Sequence, residues 1–202
     1  MRLYCESNDR FDYLIETEEI DYRHPLIEQA VTALRTDSMT ETEKVKTTFE
    51  FVRDEISHSW DLQSKRITRT ASEAMQHKEG ICYAKSNLLA ALLRVQGIPT
   101  GFCYQRLTIG DTPDTGYCIH ALNGVYLSAE QKWIRLDARG NKAGVQAEFD
   151  VNAEKLAFPV RPQYGERDYP VIYTRPNNKT MKALQRNSDC LYMYLHDLPK
   201  EL

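Results

Sequence analysis

The sequence predicts an α+β fold in which helices cover one side of an antiparallel sheet, and three observations carry that prediction. Up to about residue 97 the apolar residues recur at helical spacing. Between Gly101 and Asp137 the period changes to two, and Gly97 with Pro99 punctuates the change. Helices first and strands second describe helices packed on a sheet rather than alternating βαβ units. At 202 residues the chain is long enough to bury one core, and the length prior favours a single domain. Its core is expected over about residues 40–141, with a helical lead-in at 1–39 and an irregular C-terminal wrap at 142–202.

Each element has a local reason. Phe11 to Ile20 mixes apolar and acidic positions, compatible with a short edge strand or an extended lead-in. Pro25 suits a first helical position, and Leu26, Ile27, Ala30, Val31 and Leu34 follow at helical spacing. A second helix opens with the capping box Thr40 to Glu43 and continues through Val45, Phe49, Val52 and Ile56. The polar and aromatic cluster Ser57-His58-Ser59-Trp60-Asp61 ends it. Thr70 to Glu73 is another capping box, starting a short helix to about His77, a residue expected to face solvent.

The stretch Glu79-Gly80-Ile81-Cys82-Tyr83-Ala84 then reads as a glycine turn delivering a cysteine to the start of a long helix. From Tyr83 to Gln96 there is no Pro or Gly, and Ala84, Leu88, Leu89, Ala91, Leu92, Leu93 and Val95 cover more than one face. This central helix is expected to be buried. Strands follow over Gly101 to Leu107, Tyr117 to Leu127 and Lys132 to Asp137, the last two forming a hairpin across Ser128 to Gln131. Beyond Asn141, prolines interrupt the pattern before a helix from Asn178 to about Arg186.

Composition excludes several function classes. A formal net charge of −3 leaves no electrostatic footprint for nucleic acid. No apolar run approaches the roughly 20 residues of a membrane span, and the N-terminus turns polar too soon for a signal peptide, so a cytoplasmic location is expected. The five cysteines are scattered without a CxxC pair, and the five histidines lack a ligand spacing, so no disulfide framework, metal or other cofactor is expected.

What remains is nucleophilic chemistry. A cysteine at a helix N-terminus meets unpaired N–H groups and the positive end of the dipole, which favour thiolate. A free cysteine is also often a small buried hydrophobe, so Cys82 alone decides little. Downstream, His120 lies among apolar neighbours on one hairpin strand, and Asp137 ends the next. A hairpin centred near residue 130 brings them within about one or two pairing steps. Together Cys82, His120 and Asp137 form the nucleophile, base and orienting carboxylate of a triad. The Cys82 N–H is one candidate oxyanion donor, with the Trp60 indole and the Gln63 amide as candidates for the second. His58, Tyr83 and Arg139 are candidate substrate contacts.

The segments Glu79 to Pro99 around Cys82, Ile119 to Leu127 around His120, and Lys132 to Asn141 around Asp137 resemble the core of the bacterial transglutaminase-like superfamily. The order, spacing and context of all three agree over roughly Thr40 to Asn141. The resemblance implies a papain-like α+β fold, a Cys82-His120-Asp137 triad and a thioester intermediate. It differs at Asn123-Gly124, where many relatives carry a bulkier apolar pair. Relatives include cysteine proteases, amidases and cross-linking enzymes. The expected reaction is therefore acyl transfer on a peptide, protein or small-amide substrate, with hydrolysis ahead of amine transfer by a protein-glutamine transglutaminase. A catalytically silent binding module is the non-enzymatic alternative.

Overall fold

The computed structural model describes residues 1–202. In chain order the elements are β1 (Tyr4–Cys5), α1 (Pro25–Leu34), α2 (Glu41–Glu55), β2 (Ser57–His58), α3 (Ala71–His77), β3 (Glu79–Gly80) and α4 (Cys82–Arg94). They are followed by β4 (Thr100–Thr108), β5 (Tyr117–Leu127), β6 (Lys132–Leu136), β7 (Arg167–Tyr173), α5 (Asn178–Arg186) and α6 (Cys190–His196). Both capping boxes form, Thr40 with Glu43 and Thr70 with Glu73. His77 is exposed. No helix is long and apolar enough to cross a membrane.

Helix α4 is the element around which the others pack, and every one of its residues is buried. Its apolar surface reaches neighbours on several sides, as a helix that is hydrophobic all round requires. The main core joins α1, α2, α3 and α4 to one face of the sheet through Phe102, Tyr104, Ile119, Ala121, Val125 and Leu127. Strand alternation turns Cys103 and Leu122 to the other face, where they meet Tyr13 and Ile172.

The sheet has the order β1-β7-β4-β5-β6, with antiparallel pairing except for β1 beside β7, which run parallel. Two expectations change here. The edge strand of the lead-in is Tyr4–Cys5, while Arg10–Leu14 forms a 3-10 turn. The tail from 142 onward is not merely an irregular wrap: it supplies β7, which inserts between β1 and β4, and two helices. Alternation in Arg167-Asp168-Tyr169-Pro170-Val171-Ile172-Tyr173 is blurred by Pro170, whose missing N–H argues against an interior strand. The register between β4 and β7 shifts between Phe102 and Tyr104, so the ladder is already interrupted there.

Gly101 on β4 and Gly124 on β5 are register partners, and β7 lies close over both. A Cβ on Gly101 would come within 2.6 Å of Ile172 Cγ2 and 2.7 Å of the Tyr173 carbonyl. Beside them, Asn123 Nδ2 donates to the carbonyls of Ser86 and Gly101, both at 3.1 Å, tying α4 to the sheet. The Asn-Gly pair thus combines side-chain hydrogen bonds with a close approach of the neighbouring strand.

Arg94 closes the other end of α4. Buried, it donates to the carbonyls of Thr100 (3.0 and 2.6 Å), Ile15 (2.5 Å) and Thr174 (2.7 Å), joining lead-in, sheet and tail. Removing the guanidinium leaves three carbonyls without this donor. Arg94→Met should therefore lower unfolding free energy by about 3 kcal/mol, read as a reduced urea midpoint at unchanged m. The exposed Arg23→Met is the reference; an equal effect of the two would contradict this role.

Candidate active site

Cys82 is the first residue of α4. Its N-cap, Ile81, has no side-chain cap to offer, so the first N–H groups keep their unpaired character. The approach to Cys82 is not the glycine turn expected. Glu79-Gly80 is a short strand parallel to Ser57-His58, with His58 opposite Gly80. Gly80 is needed for space rather than for a positive φ, because a Cβ there would lie 2.9 Å from both Ala84 Cβ and Thr68 Oγ1.

The β5–β6 register pairs Asn123 with Leu136. One further step sets Asp137 across from Leu122, two residues from His120 on the same face, a diagonal neighbour within side-chain reach. His120 Nε2 and Asp137 Oδ2 are 2.8 Å apart. The carboxylate accepts two more N–H donors, from Arg139 to Oδ1 and from Ala157 to Oδ2, each at 3.1 Å. With Nε2 held by Asp137, Nδ1 is the ring nitrogen left free, and His120 and Cys82 line the same cavity.

Burial disfavours the imidazolium, but the charges of Asp137 and Cys82 and the hydrogen bond to Asp137 outweigh it and raise the His120 pKa to about 10. Burial also opposes ionisation of Asp137, yet His120 and the Arg139 and Ala157 N–H groups leave its carboxyl more acidic than usual. Phe158 meets the imidazole edge-on at a centroid distance of 5.2 Å and shields it.

These groups lie in a cavity of about 440 Å3. Ile81, Leu107, Ile109, Ile119, Phe158 and Leu198 contribute most of its apolar wall. The charged groups on the wall are largely paired within the protein. Arg139 holds Asp61 through both terminal nitrogens, at 2.5 and 2.9 Å, and Arg161 holds the buried Glu166. Asp61 would be destabilised by its partial burial, but Arg139 and Lys142 lower its pKa to about 2. One turn along α4, Lys85 donates to the carbonyls of Arg53 and Ile56, and burial followed by the Arg139 charge lowers its pKa to about 7.

Of the expected site residues, Cys82, His120, His58 and Arg139 line this cavity. Asp137 stands behind His120, and Trp60, Gln63 and Tyr83 do not line it either. Trp60 stacks on Tyr194 at 4.3 Å and stands behind the wall, away from the oxyanion position assigned to it. Gln63 is exposed, and its amide folds back onto the Trp60 carbonyl at 2.6 Å. Tyr83 is buried and donates to the Ile119 carbonyl at 2.7 Å, fixing α4 to β5 rather than meeting a substrate. Sequence reasoning missed Ala157, Phe158, Tyr194 and Leu198, all from the tail. The available signals were Pro159, which disfavours helix at Phe158, and Asp189, which caps α6; neither says which strand they cover.

The fold and the cavity define a transglutaminase-like α+β protein. The family model of the transglutaminase-like superfamily matches residues 28–138, and the chain belongs to that superfamily. Membership supports a thiol-dependent enzyme in general. Among solved structures, the chain is similar to a cysteine protease candidate from Cytophaga hutchinsonii, at 17% identity and a TM-score of 0.51, covering 66% of this chain and 43% of that one. It also matches the periplasmic domain of TgpA from Pseudomonas aeruginosa (18% identity, TM-score 0.47, 64% of this chain and 46% of that one). A structure described as a TGase matches at 15% identity and a TM-score of 0.46, over 93% and 54% of the two chains. The chain thus spans about half the length of these structures. The comparison with curated proteins gave no match.

The electrostatics predict a pH signature. His120 has its acidity shifted above the free value of about 6.5, so its contribution to stability is full below that value and is lost as pH rises toward 10. An NMR titration of the ring should find imidazolium in wild type at pH 8. In Asp137→Asn burial persists without the carboxylate charge, so the ring should titrate at least one unit lower, and the fall in urea midpoint above pH 7 should flatten. An unshifted titration in the variant would refute the pairing.

Proposed function

We propose that the protein catalyses acyl transfer through a thioester on Cys82, with a peptide or amide as acyl donor and water as acceptor. The observation that carries this reading is His120, held by Asp137 through Nε2, in the wall of the same open cavity that Cys82 lines at the start of α4. In the proposed first half-reaction the Cys82 thiolate adds to the carbonyl carbon and the C=O electron pair moves to oxygen. The intermediate collapses as the His120 imidazolium gives its proton to the departing amine, leaving a thioester and a neutral imidazole. That imidazole then takes a proton from water, hydroxide adds to the thioester carbon, and the thiolate leaves as the carboxylic acid forms. Asp137 stays ionised throughout and keeps the ring oriented.

The walls support an apolar acyl group, because the arginines that line the cavity are engaged by Asp61 and Glu166. Water is favoured as acceptor by local charge, because the His120 imidazolium on the cavity wall repels an approaching ammonium.

Mixing the protein with p-nitrophenyl acetate should release one equivalent of p-nitrophenol in a burst and place one acetyl group on Cys82, located by mass spectrometry. Cys82→Ala should give neither, and His120→Ala should slow acylation by roughly 10²–10⁴-fold. Acetylation spread over Cys5 and Cys190 would contradict the reading. Acetate should remain the product when methylamine is added; formation of N-methylacetamide would move the reaction to the transferase class.

A further inference from the structure

His58 ends β2, opposite Gly80 and two residues from Cys82 in that partner's chain direction. It lines the cavity that holds Cys82 and His120. Its side chain is buried, 5% exposed, yet the ring has no hydrogen-bond partner, and Nδ1 is wholly enclosed without one. What holds the ring is aromatic. Tyr194 meets it edge-on at 6.3 Å, and Tyr194 is itself stacked on Trp60. Buried polar groups are ordinarily paired, and an imidazole without a protein partner in the wall of the cavity that holds Cys82 leaves Nε2, the nitrogen that is not enclosed, for a partner that arrives with the substrate.

The charge of the ring is settled by its neighbours. Arg139, Lys85 and His120 face it with positive charge and only Asp61 opposes them; burial and these cations hold it neutral, well below the usual histidine range. A neutral imidazole keeps one N–H donor without placing a second full charge beside the His120–Asp137 pair. The first donor of an oxyanion hole is already present in the Cys82 N–H at the start of α4. The two candidates for the second donor suggested by sequence, Trp60 and Gln63, both lie off the cavity wall.

We propose that His58 supplies the second oxyanion donor, a ring N–H that pairs with the carbonyl oxygen of the substrate as it becomes negative. The proposal rests on the acyl-transfer reading and gives it a catalytic residue that the three-residue motif does not contain. As Sγ of Cys82 adds to the carbonyl carbon, the π pair moves to oxygen. The N–H groups of His58 and Cys82 hold that oxyanion without transferring a proton to it. When the C=O bond re-forms, the amine leaves with the proton from His120, and His58 ends the step unchanged.

Two reactions of the same thiolate separate this role from a structural one. Acylation by p-nitrophenyl acetate passes through an oxyanion; alkylation by iodoacetamide is a displacement at carbon and does not. His58→Leu should slow acylation by roughly 10²–10³-fold while the alkylation rate of Cys82 stays within about twofold of wild type. His58→Gln, which keeps an N–H donor, should recover part of the loss. Urea midpoints of both variants establish that they fold. If acylation and alkylation fall together in His58→Leu, or if acylation does not change, or if His58→Gln behaves as His58→Leu does, the oxyanion role is overturned. Wild-type protein that alkylates at Cys82 but forms no acetyl-enzyme would instead overturn the acyl-transfer reading on which the role rests.

Discussion

The structure depends on a carboxylate kept ionised almost without water. Asp137 is 1% exposed, and an isolated charge in that position would neutralise by taking up a proton. It stays acidic because three N–H groups converge on it, from the His120 ring, the Arg139 backbone and the Ala157 backbone. Those donors come from β5, from the turn after β6 and from the tail. A site built this way exists only when hairpin and tail are both in place. That explains why the segment after residue 142 is part of the cavity wall rather than an ornament around it.

The same logic runs through α4. A helix buried along its whole length contains Lys85, Ser86, Asn87 and Arg94 as well as its leucines, and each long polar side chain is spent on main-chain carbonyls elsewhere. Lys85 reaches the end of α2, Asn87 the carbonyl of Arg69, Arg94 the lead-in, β4 and the tail. The Lys85 bonds fix the end of α2, which leads directly into β2 and His58, relative to the helix start that carries Cys82. Apolar packing supplies the bulk of the driving force; the polar ties decide how the walls of the cavity meet.

Much of this was legible from local pattern. The capping boxes at Thr40 and Thr70, the period of α4 and the switch to alternation after Gly97 are local signals, and the elements formed where those signals lie. The hairpin also sets His120 near Asp137 by register alone. What was not legible is long-range. Nothing in the residues of β7 announces an interior strand, because Pro170 weakens the alternation and the partner, β4, lies some 60 residues away. Trp60 was misplaced for a related reason. Its position next to the site in sequence says nothing of Tyr194, whose ring takes up one indole face. The sequence offers His58 as a candidate substrate contact but gives no hint of an oxyanion role, since an unpaired ring nitrogen is visible only when every neighbour is known.

The central claim is that Cys82 and His120 act as a thiolate–imidazolium pair in a cavity built to receive a carbonyl. It is tested most directly by the rate of iodoacetamide alkylation at each cysteine at pH 6, in wild type and in His120→Ala, with the modified residue located by mass spectrometry. The account predicts that Cys82 reacts well ahead of Cys5, Cys103, Cys118 and Cys190, and that the advantage disappears in the variant. Equal reactivity of Cys82 and the half-buried Cys5, or an advantage that survives the loss of His120, would contradict it.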